Sequence, residues 1–256
     1  MCVICEDDIS VLVNYRKLVY NCPNVTEIPK EMVNLTELIC ISCPSNIKEL
    51  VNLEELQCYD CPNITEIPKE FTKLKILYCG NKYITCIPKE LVNLKELYCK
   101  FCTNIKEIPK ELTKLEKLNC SECPLLTHIP KELVKLETLY CYRCPLLTHI
   151  PKELVNLVDL DCSDCPLLTH IPKELVNLKY LSCDNCPNLI DAPLHLLSND
   201  LKIMIEENYQ RYRKQQCSIM TNTILEELIA HTWHPNRVID WCWDEEEKKF
   251  MSLYTN

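Results

Sequence analysis

An α/β solenoid is the fold class this sequence predicts: a parallel sheet along a concave face, short helical or 3₁₀ turns on a convex face, and an α-helical C-terminal cap. Three observations lead there. The block Cys-Pro-Leu-Leu-Thr-His-Ile-Pro-Lys-Glu-Leu-Val recurs at 123–134, 144–155 and 165–176, in steps of 21 residues. A cysteine ahead of that block marks Cys40, Cys58, Cys79, Cys99, Cys120, Cys141, Cys162 and Cys183, in steps of 18, 21, 20, 21, 21, 21 and 21. A degenerate first copy carries Tyr20 in the cysteine's place, making nine strand segments. Self-similarity at this period is the signature of a stacked repeat, in which one copy cannot bury its own apolar side and neighbours complete the core.

Each element of the unit Leu-x-x-Leu-x-Cys-x-x-Cys-Pro-x-Leu-x-x-Ile-Pro-Lys-Glu-Leu-x-x follows from its residues. Leu-x-Cys alternates as a strand does, one side chain in and the next out. Residues such as Leu147 and Ile150 keep an inward face through the descending turn. Proline then opens the return segment, where its fixed φ suits the first position of a short helix or 3₁₀ turn. Leu154 and Leu157, three apart, share one face of that turn. Stacking at ~4.8 Å per copy gives one continuous sheet and core. Open ends need covering. Residues 1–14 are the expected N-terminal cap, 15–197 the solenoid, and 198–256 the helical C-terminal cap. In the tail, Leu201–Lys214 reads as a helix, Thr223-Ile-Leu-Glu226 as a capping box opening a second, Pro235 as the start of a third, and Asp244-Glu-Glu-Glu247 as the acidic start of a fourth.

This unit resembles the leucine-rich-repeat family, whose signature is L-x-x-L-x-L-x-x-N/C-x-L. The resemblance covers residues 12–197 in nine tandem copies. Two departures stand out: cysteine replaces the third strand leucine, and cysteine mostly replaces the ladder asparagine. Trp233-His-Pro-Asn-Arg237, followed by Trp241-Cys-Trp243 and an acidic run, resembles tails on many proteins of amoeba-infecting giant viruses, and the cysteine-rich repeats are similar to leucine-rich-repeat proteins of the mimivirus group. That likeness implies a protein of the host cytoplasm acting on host proteins.

Composition narrows the function. The chain has 256 residues, 47% of them hydrophobic, and a formal net charge of −9. An acidic chain is repelled by phosphate backbones, so no nucleic-acid partner is expected. No run reaches the ~18 apolar residues that span a membrane. The acidic opening Met1-Cys-Val-Ile-Cys-Glu-Asp-Asp is no secretory signal, so a cytoplasmic, non-secreted protein is expected. There is one glycine, Gly80, which leaves no material for phosphate-cradling loops or nucleophile elbows. No catalytic residue, cofactor or enzymatic activity is expected.

The 21 cysteines are odd in number and lack an export signal, so reduced thiols are expected. The seven C-x-x-C pairs, Cys40/Cys43 through Cys183/Cys186, all fall at the inward strand and ladder positions. They read as buried columns of a small hydrophobe, with no metal. His128, His149 and His170 share a column that earlier holds Glu27, Glu66 and Glu107, and an exchangeable position of this kind is solvated surface. Cys217, His231, His234 and Cys242 match no zinc-ligand spacing. The repeated Pro-Lys-Glu segments read as a solvated convex face of mutually paired charges.

Buried columns are nearly invariant between copies, while the outward strand positions vary. The family resemblance implies that these form the binding surface. The slot before the cysteine runs Ile39, Gln57, Tyr78, Tyr98, Asn119, Tyr140, Asp161, Ser182; the slot after it runs Ile41, Tyr59, Gly80, Lys100, Ser121, Tyr142, Ser163, Asp184; the next runs Ser42, Asp60, Asn81, Phe101, Glu122, Arg143, Asp164, Asn185. Tyr59, Tyr78, Tyr98, Phe101, Tyr140, Tyr142, Arg143, Asp161 and Asp164 are the candidate contacts for an unidentified protein partner of a monomer, since aromatic and arginine side chains are the usual interface anchors. Asp159 and Asp184 would extend the acidic end. Two other functions stay open on the sequence: substrate recognition in a ubiquitin-ligase-type complex, which needs an adaptor-binding segment that only the tail could supply, and thiol or metal handling by the cysteine column.

Overall fold

A computed structural model describes residues 14–20, 27–41, 45–59 and 61–228, with the side chains of the C-terminal helix described as far as 216. The expected cap over 1–14 and the tail beyond 228 lie outside these, apart from residue 14. Nine strands form one parallel sheet in sequence order: β1 Lys17–Tyr20, β2 Glu37–Ile41, β3 Glu55–Tyr59, β4 Ile76–Tyr78, β5 Glu96–Tyr98, β6 Lys117–Asn119, β7 Thr138–Tyr140, β8 Asp159–Asp161 and β9 Tyr180–Ser182. The architecture is a solenoid with a helix at its C-terminal end. Register is fixed by one residue per coil: Leu18, Leu38, Leu56, Leu77, Leu97, Leu118, Leu139, Leu160 and Leu181 pair directly with their neighbours. A slip of one residue would turn every leucine outward.

From β4 on, the strands hold three residues, yet the parallel hydrogen bonding runs further. Cys99 N donates to Asn119 O at 2.8 Å and Phe101 N to Ser121 O at 3.1 Å, and later coils repeat the pattern. The chain then leaves the sheet through a left-handed residue. Phe101, Glu122, Arg143, Asp164 and Asn185 have φ of 66, 57, 54, 56 and 54°. A left-handed conformation costs an L-residue roughly 1–2 kcal/mol, and this column meets that cost in five coils. It is the turn that aims the next cysteine back into the core.

Seven side chains per coil face inward. In one coil these are Leu139, Cys141, Cys144, Leu147, Ile150, Leu154 and Leu157, none more than 3% exposed. The return segments are shorter than helices: two single turns, closed for example by Leu154 N on Pro151 O and Leu157 N on Leu154 O. Genuine 3₁₀ segments occur at Ser45–Glu49 and Leu194–Leu196. Asparagines on the convex side tie coil to coil, as where Asn52, Asn93, Asn156 and Asn177 donate to Val33, Thr72, Val134 and Val155 carbonyls at 2.8–2.9 Å.

The tail corrects the sequence reading. One helix, α1 (Asn199–Leu228), replaces the two expected before Pro235. Neither glycine nor proline lies between 214 and 223, so nothing stops the first helix, and the Thr223 capping box falls inside it. Ser198 caps it, its Oγ accepting from Leu201 N at 3.3 Å. Ile205 is buried against the last coil, with Leu201 and Met204 packed beside it. Asn208 donates to Leu189 O at 3.0 Å, satisfying a carbonyl of the terminal coil. The start of the expected helical C-terminal cap thus covers the last coil through Leu201, Met204 and Ile205. The side chains of Ile224 and Leu228 lie outside the described residues, as do Trp241 and Trp243. No described helix is long and apolar enough to cross a membrane.

Candidate functional site

The concave face is built from whichever residues the strands turn outward. In an x-Leu-x strand, period two turns out the residues on both sides of the leucine. The column after the leucine holds Tyr78, Tyr98, Asn119, Tyr140 and Asp161 in five successive coils. Tyr78 and Tyr98 are stacked, with centroids 4.3 Å apart and planes 2° from parallel. Tyr98 donates to Glu96 Oε2 at 2.9 Å and Tyr140 to Asp159 Oδ2 at 2.7 Å. Burial, and then the Glu96 bond, push the Tyr98 phenol up; the Asp159 bond, followed by burial, pushes Tyr140 up to about 12. Both rings are neutral and held upright by carboxylates.

The column before the leucine was not among the expected contacts, Asp159 excepted. It holds Glu96, Lys117, Thr138, Asp159 and Tyr180. Tyr180 is 66% exposed on the last strand. The signal was available in the alternation itself, because both neighbours of an inward leucine must point out.

The third expected column is displaced. Phe101, Arg143 and Asp164 sit on the left-handed turn at the rim of the sheet. Phe101 is 50% exposed. Arg143 Nε reaches Asp164 Oδ2 at 3.4 Å, and its Nη1 lies 3.9 Å from Glu122. Such exposed pairs contribute little stability. Asn81, expected outward in this column, is buried. Its coil is one residue short, so Asn81 takes the inward ladder position. Its Nδ2 donates to Cys61 O at 2.8 Å and Ile64 O at 3.4 Å, and its Oδ1 accepts from Tyr83 N at 2.9 Å. The shortened coil brings the next one against Gly80, where a Cβ would lie 2.8 Å from Lys100 O. The chain's single glycine serves this close approach.

In the slot after the strand cysteine, Lys100 extends across Ser121. Its Nζ lies 4.5 Å from the Phe101 centroid and 5.0 Å from that of Tyr142, one coil beyond Ser121. Tyr142 and then Glu122 favour the charged form of this lysine. Ser121, expected outward and accessible, is buried beneath, and its Oγ has no hydrogen-bond partner. Tyr78, Tyr98, Tyr140, Tyr142 and Asp161 therefore share one surface, with Phe101, Arg143 and Asp164 along its rim. Tyr59 closes β3, and its side chain lies outside the described residues.

The cysteines form a second system, inside the sheet. Ladder thiols of Cys61, Cys102, Cys123, Cys144, Cys165 and Cys186 donate to the carbonyl of the strand cysteine one coil earlier, at 3.1–3.6 Å. The buried position expected for the described C-x-x-C thiols is found. Burial pushes Cys144, Cys165 and Cys183 up to about 12 and raises Cys120, Cys141 and Cys162 strongly. Cys79 and Cys102 share a hydrogen bond that holds the proton on Cys79 and draws Cys102 down, while burial opposes charge at both. One expectation fails: Cys40 is disulfide-bonded, to a cysteine outside the described side chains. Among the described residues no three His, Cys, Asp or Glu side chains converge to hold a metal ion.

Cys86 differs from the other described cysteines. It is a free, exposed thiol in the column that later holds His128 and His149. A thiol reagent at neutral pH should therefore modify Cys86 within minutes while the ladder cysteines of the folded protein resist, since only exposed thiolate reacts. Quenched alkylation followed by peptide mass spectrometry checks this. Equal rates at Cys86 and Cys144 would show that the core thiols are accessible.

A groove of about 1160 Å³ runs along another flank, lined by Pro88, Pro109, Pro130 and Pro151 with the adjoining lysines and glutamates. Its Ile-Pro-Lys-Glu walls repeat from coil to coil, and only the column of Cys86, Glu107, His128 and His149 along it varies. The Pro-Lys-Glu columns form no ion pairs among the described residues, contrary to the mutual pairing expected. The pairs lie instead beside the sheet, such as Lys75–Glu54, Lys95–Glu116 and Lys117–Glu96 at 2.6–3.0 Å.

Comparison with known proteins agrees with this geometry. The family model described as Leucine Rich Repeat matches residues 114–136 and 156–178. No curated protein matches the chain. Among solved structures, the chain is similar to the functional domain of InlJ from Listeria monocytogenes, described as including a cysteine ladder, with a TM-score of 0.51 and 22% identity over 73% of this chain and 52% of that one. It is similar to the plant peptide hormone receptor RGFR1 in complex with RGF2, with a TM-score of 0.50 and 22% identity over 73% of this chain and 37% of that one. A TDR receptor matches with a TM-score of 0.50 and 22% identity, over 72% and 40%. The chain thus spans about half or less of these neighbours. They share its fold, and together with the two matched segments they support a leucine-rich-repeat family.

Proposed function

We propose, starting from a leucine-rich-repeat solenoid, that this protein is a non-enzymatic scaffold that binds a protein partner on the concave face of its sheet. The observation that carries the reading is the contrast between columns. Inward positions repeat leucine and cysteine, while the outward column presents Tyr78, Tyr98 and Tyr140 half-exposed, with Asp161 beside them. Aromatic rings bury much area at small rotamer cost. Asp159, Asp161, Asp164 and Asp184 would steer a basic segment, an attraction that weakens with salt. RGFR1, a plant peptide hormone receptor whose structure is a complex with RGF2, is a solenoid neighbour. We place the protein in the cytoplasm as a monomer, with neither nucleic acid nor membrane as partner.

Affinity capture from the native cell with two variants tests the reading. Tyr98→Ala/Tyr140→Ala/Tyr142→Ala should weaken partner capture at least about a hundredfold, because the loss of one buried aromatic anchor alone costs roughly 2 kcal/mol, about thirtyfold, and such losses do not simply add. Lys110→Ala/Lys131→Ala/Lys152→Ala should bind as the wild type does. Retained binding by a folded tyrosine variant, or loss only in the lysine variant, would place the partner on another face.

A further inference from the structure

We infer that the concave face carries a notch at Asn119 and Ser121 that accepts one aromatic side chain of a bound partner segment, completing a stack between Tyr98 and Tyr140. The inference rests on the proposed concave-face binding and names what that face recognises. In the central outward column Tyr78 and Tyr98 stack at 4.3 Å, so adjacent coils bring tyrosine rings to stacking distance. The next position is Asn119, directly between Tyr98 and Tyr140 in register. Two strand spacings of ~4.8 Å separate the flanking tyrosines. A ring placed above Asn119 would thus have a neighbour ~4.8 Å away on each side, inside the 4.5–7 Å range that aromatic pairs favour. The Tyr140 hydroxyl is tied to Asp159 on β8, which keeps that side of the notch open.

The floor points to a ligand independently. Ser121 Oγ is fully buried and unpartnered beneath the Lys100 chain. A buried hydroxyl without a partner is costly, and displacing Lys100 would give it a backbone carbonyl of an incoming segment. Asn119 uses Oδ1 to accept from Ser121 N at 3.2 Å, which leaves its Nδ2 as a second donor for the same purpose. The charges beside the notch favour a neutral ring over a planar cation. Lys117 lies on one side, held by Glu96 at 3.0 Å, and Lys100 lies on the other, 3.5 Å from Glu122. Each ammonium is paired with a carboxylate, so the notch carries little net charge and gains little from a cation.

N-acetyl-tryptophanamide serves as the probe, followed by NMR on the full chain against N-acetyl-argininamide and N-acetyl-leucinamide. The tryptophan probe should bind more tightly than either, with contacts to Tyr98 and Tyr140. Asn119→Tyr, which fills the gap with the protein's own ring, should weaken it about tenfold, the loss of two aromatic pairs. Asn119→Ala also loses the bond to Ser121 N but keeps the gap, and should still bind. Equal binding by Asn119→Tyr and wild type, or preference for the arginine probe, overturns the inference. If the probe fails while the triple tyrosine variant still loses its partner, the notch is wrong and the binding face stands. If the probe binds while that variant captures its partner normally, the notch takes an aromatic ring but no part of the partner, and the inference falls together with the binding face.

Discussion

Raising the pH from 8 to 10 is expected to unfold this protein in reducing buffer. Six strand cysteines, Cys58, Cys79, Cys99, Cys120, Cys141 and Cys162, are fully buried, and every one has its ionisation pushed upward. In Cys58, Cys120, Cys141 and Cys162 burial is the leading cause; in Cys79 and Cys99 it is a hydrogen bond from a neighbouring thiol, with burial second. Below about pH 8.5, the ordinary thiol value, folded and unfolded chains both hold these protons and stability does not respond to them. Above it the unfolded chain loses protons that the folded chain keeps, so stability falls by ~1.4 kcal/mol per pH unit for each thiol. Burial also leads the rise at Cys144, Cys165, Cys183 and Cys186, and with Cys58, Cys120, Cys141 and Cys162 these thiols remove on the order of 10 kcal/mol per unit, comparable with the whole stability of a domain. Tyr98 and Tyr140 are shifted in the same direction and add to the loss at higher pH.

Urea unfolding midpoints at pH 7, 8, 9 and 10 test the expectation. They should agree at the first two values and collapse between the last two. Cys120→Ala/Cys141→Ala should start less stable, from two small cavities, yet lose about a quarter of the pH slope. A midpoint flat to pH 10, or a slope unchanged in the double variant, would mean that the core thiols are not the alkaline liability.

Asn81→Ala is expected to destabilise the solenoid by roughly 2–4 kcal/mol, since buried polar groups left without partners cost ~1–3 kcal/mol each. The substitution strands Tyr83 N and removes the long bond to Ile64 O. Cys61 O keeps its second donor, Ile64 N at 3.1 Å, which holds the figure in this range. Asn104→Ala is the comparison. Its Nδ2 also bonds a carbonyl of the preceding coil, Lys82 O at 2.7 Å, but the site is exposed and water can replace it. Its cost should be under ~1 kcal/mol. Equal effects in denaturant titrations would show that the Asn81 position is solvated and that the short coil is held together some other way.

The sequence by itself determined the solenoid, its leucine register and its cysteine columns. These follow from local rules: alternation decides which side chain of a strand points in, and identical repeats leave one way to stack. The three central tyrosines were legible for the same reason, lying between an inward leucine and an inward cysteine. Tyr180 obeys the same rule on the other side of its leucine.

Tertiary structure decided whatever depends on contacts between coils. Asn81 looks like any third-slot residue until the missing residue in its coil rotates it inward, and Ser121 looks exposed until Lys100 reaches across it from the coil before. The left-handed turn at Phe101, Arg143 and Asp164 moves them from the sheet to its rim, because the chain must reverse there to aim a cysteine at a carbonyl some 24 residues earlier in most coils. The merging of two expected helices into α1 has a related origin. A capping box can open a helix only where the chain is not already helical, and packing of Ile205 and Asn208 on the last coil had begun one upstream.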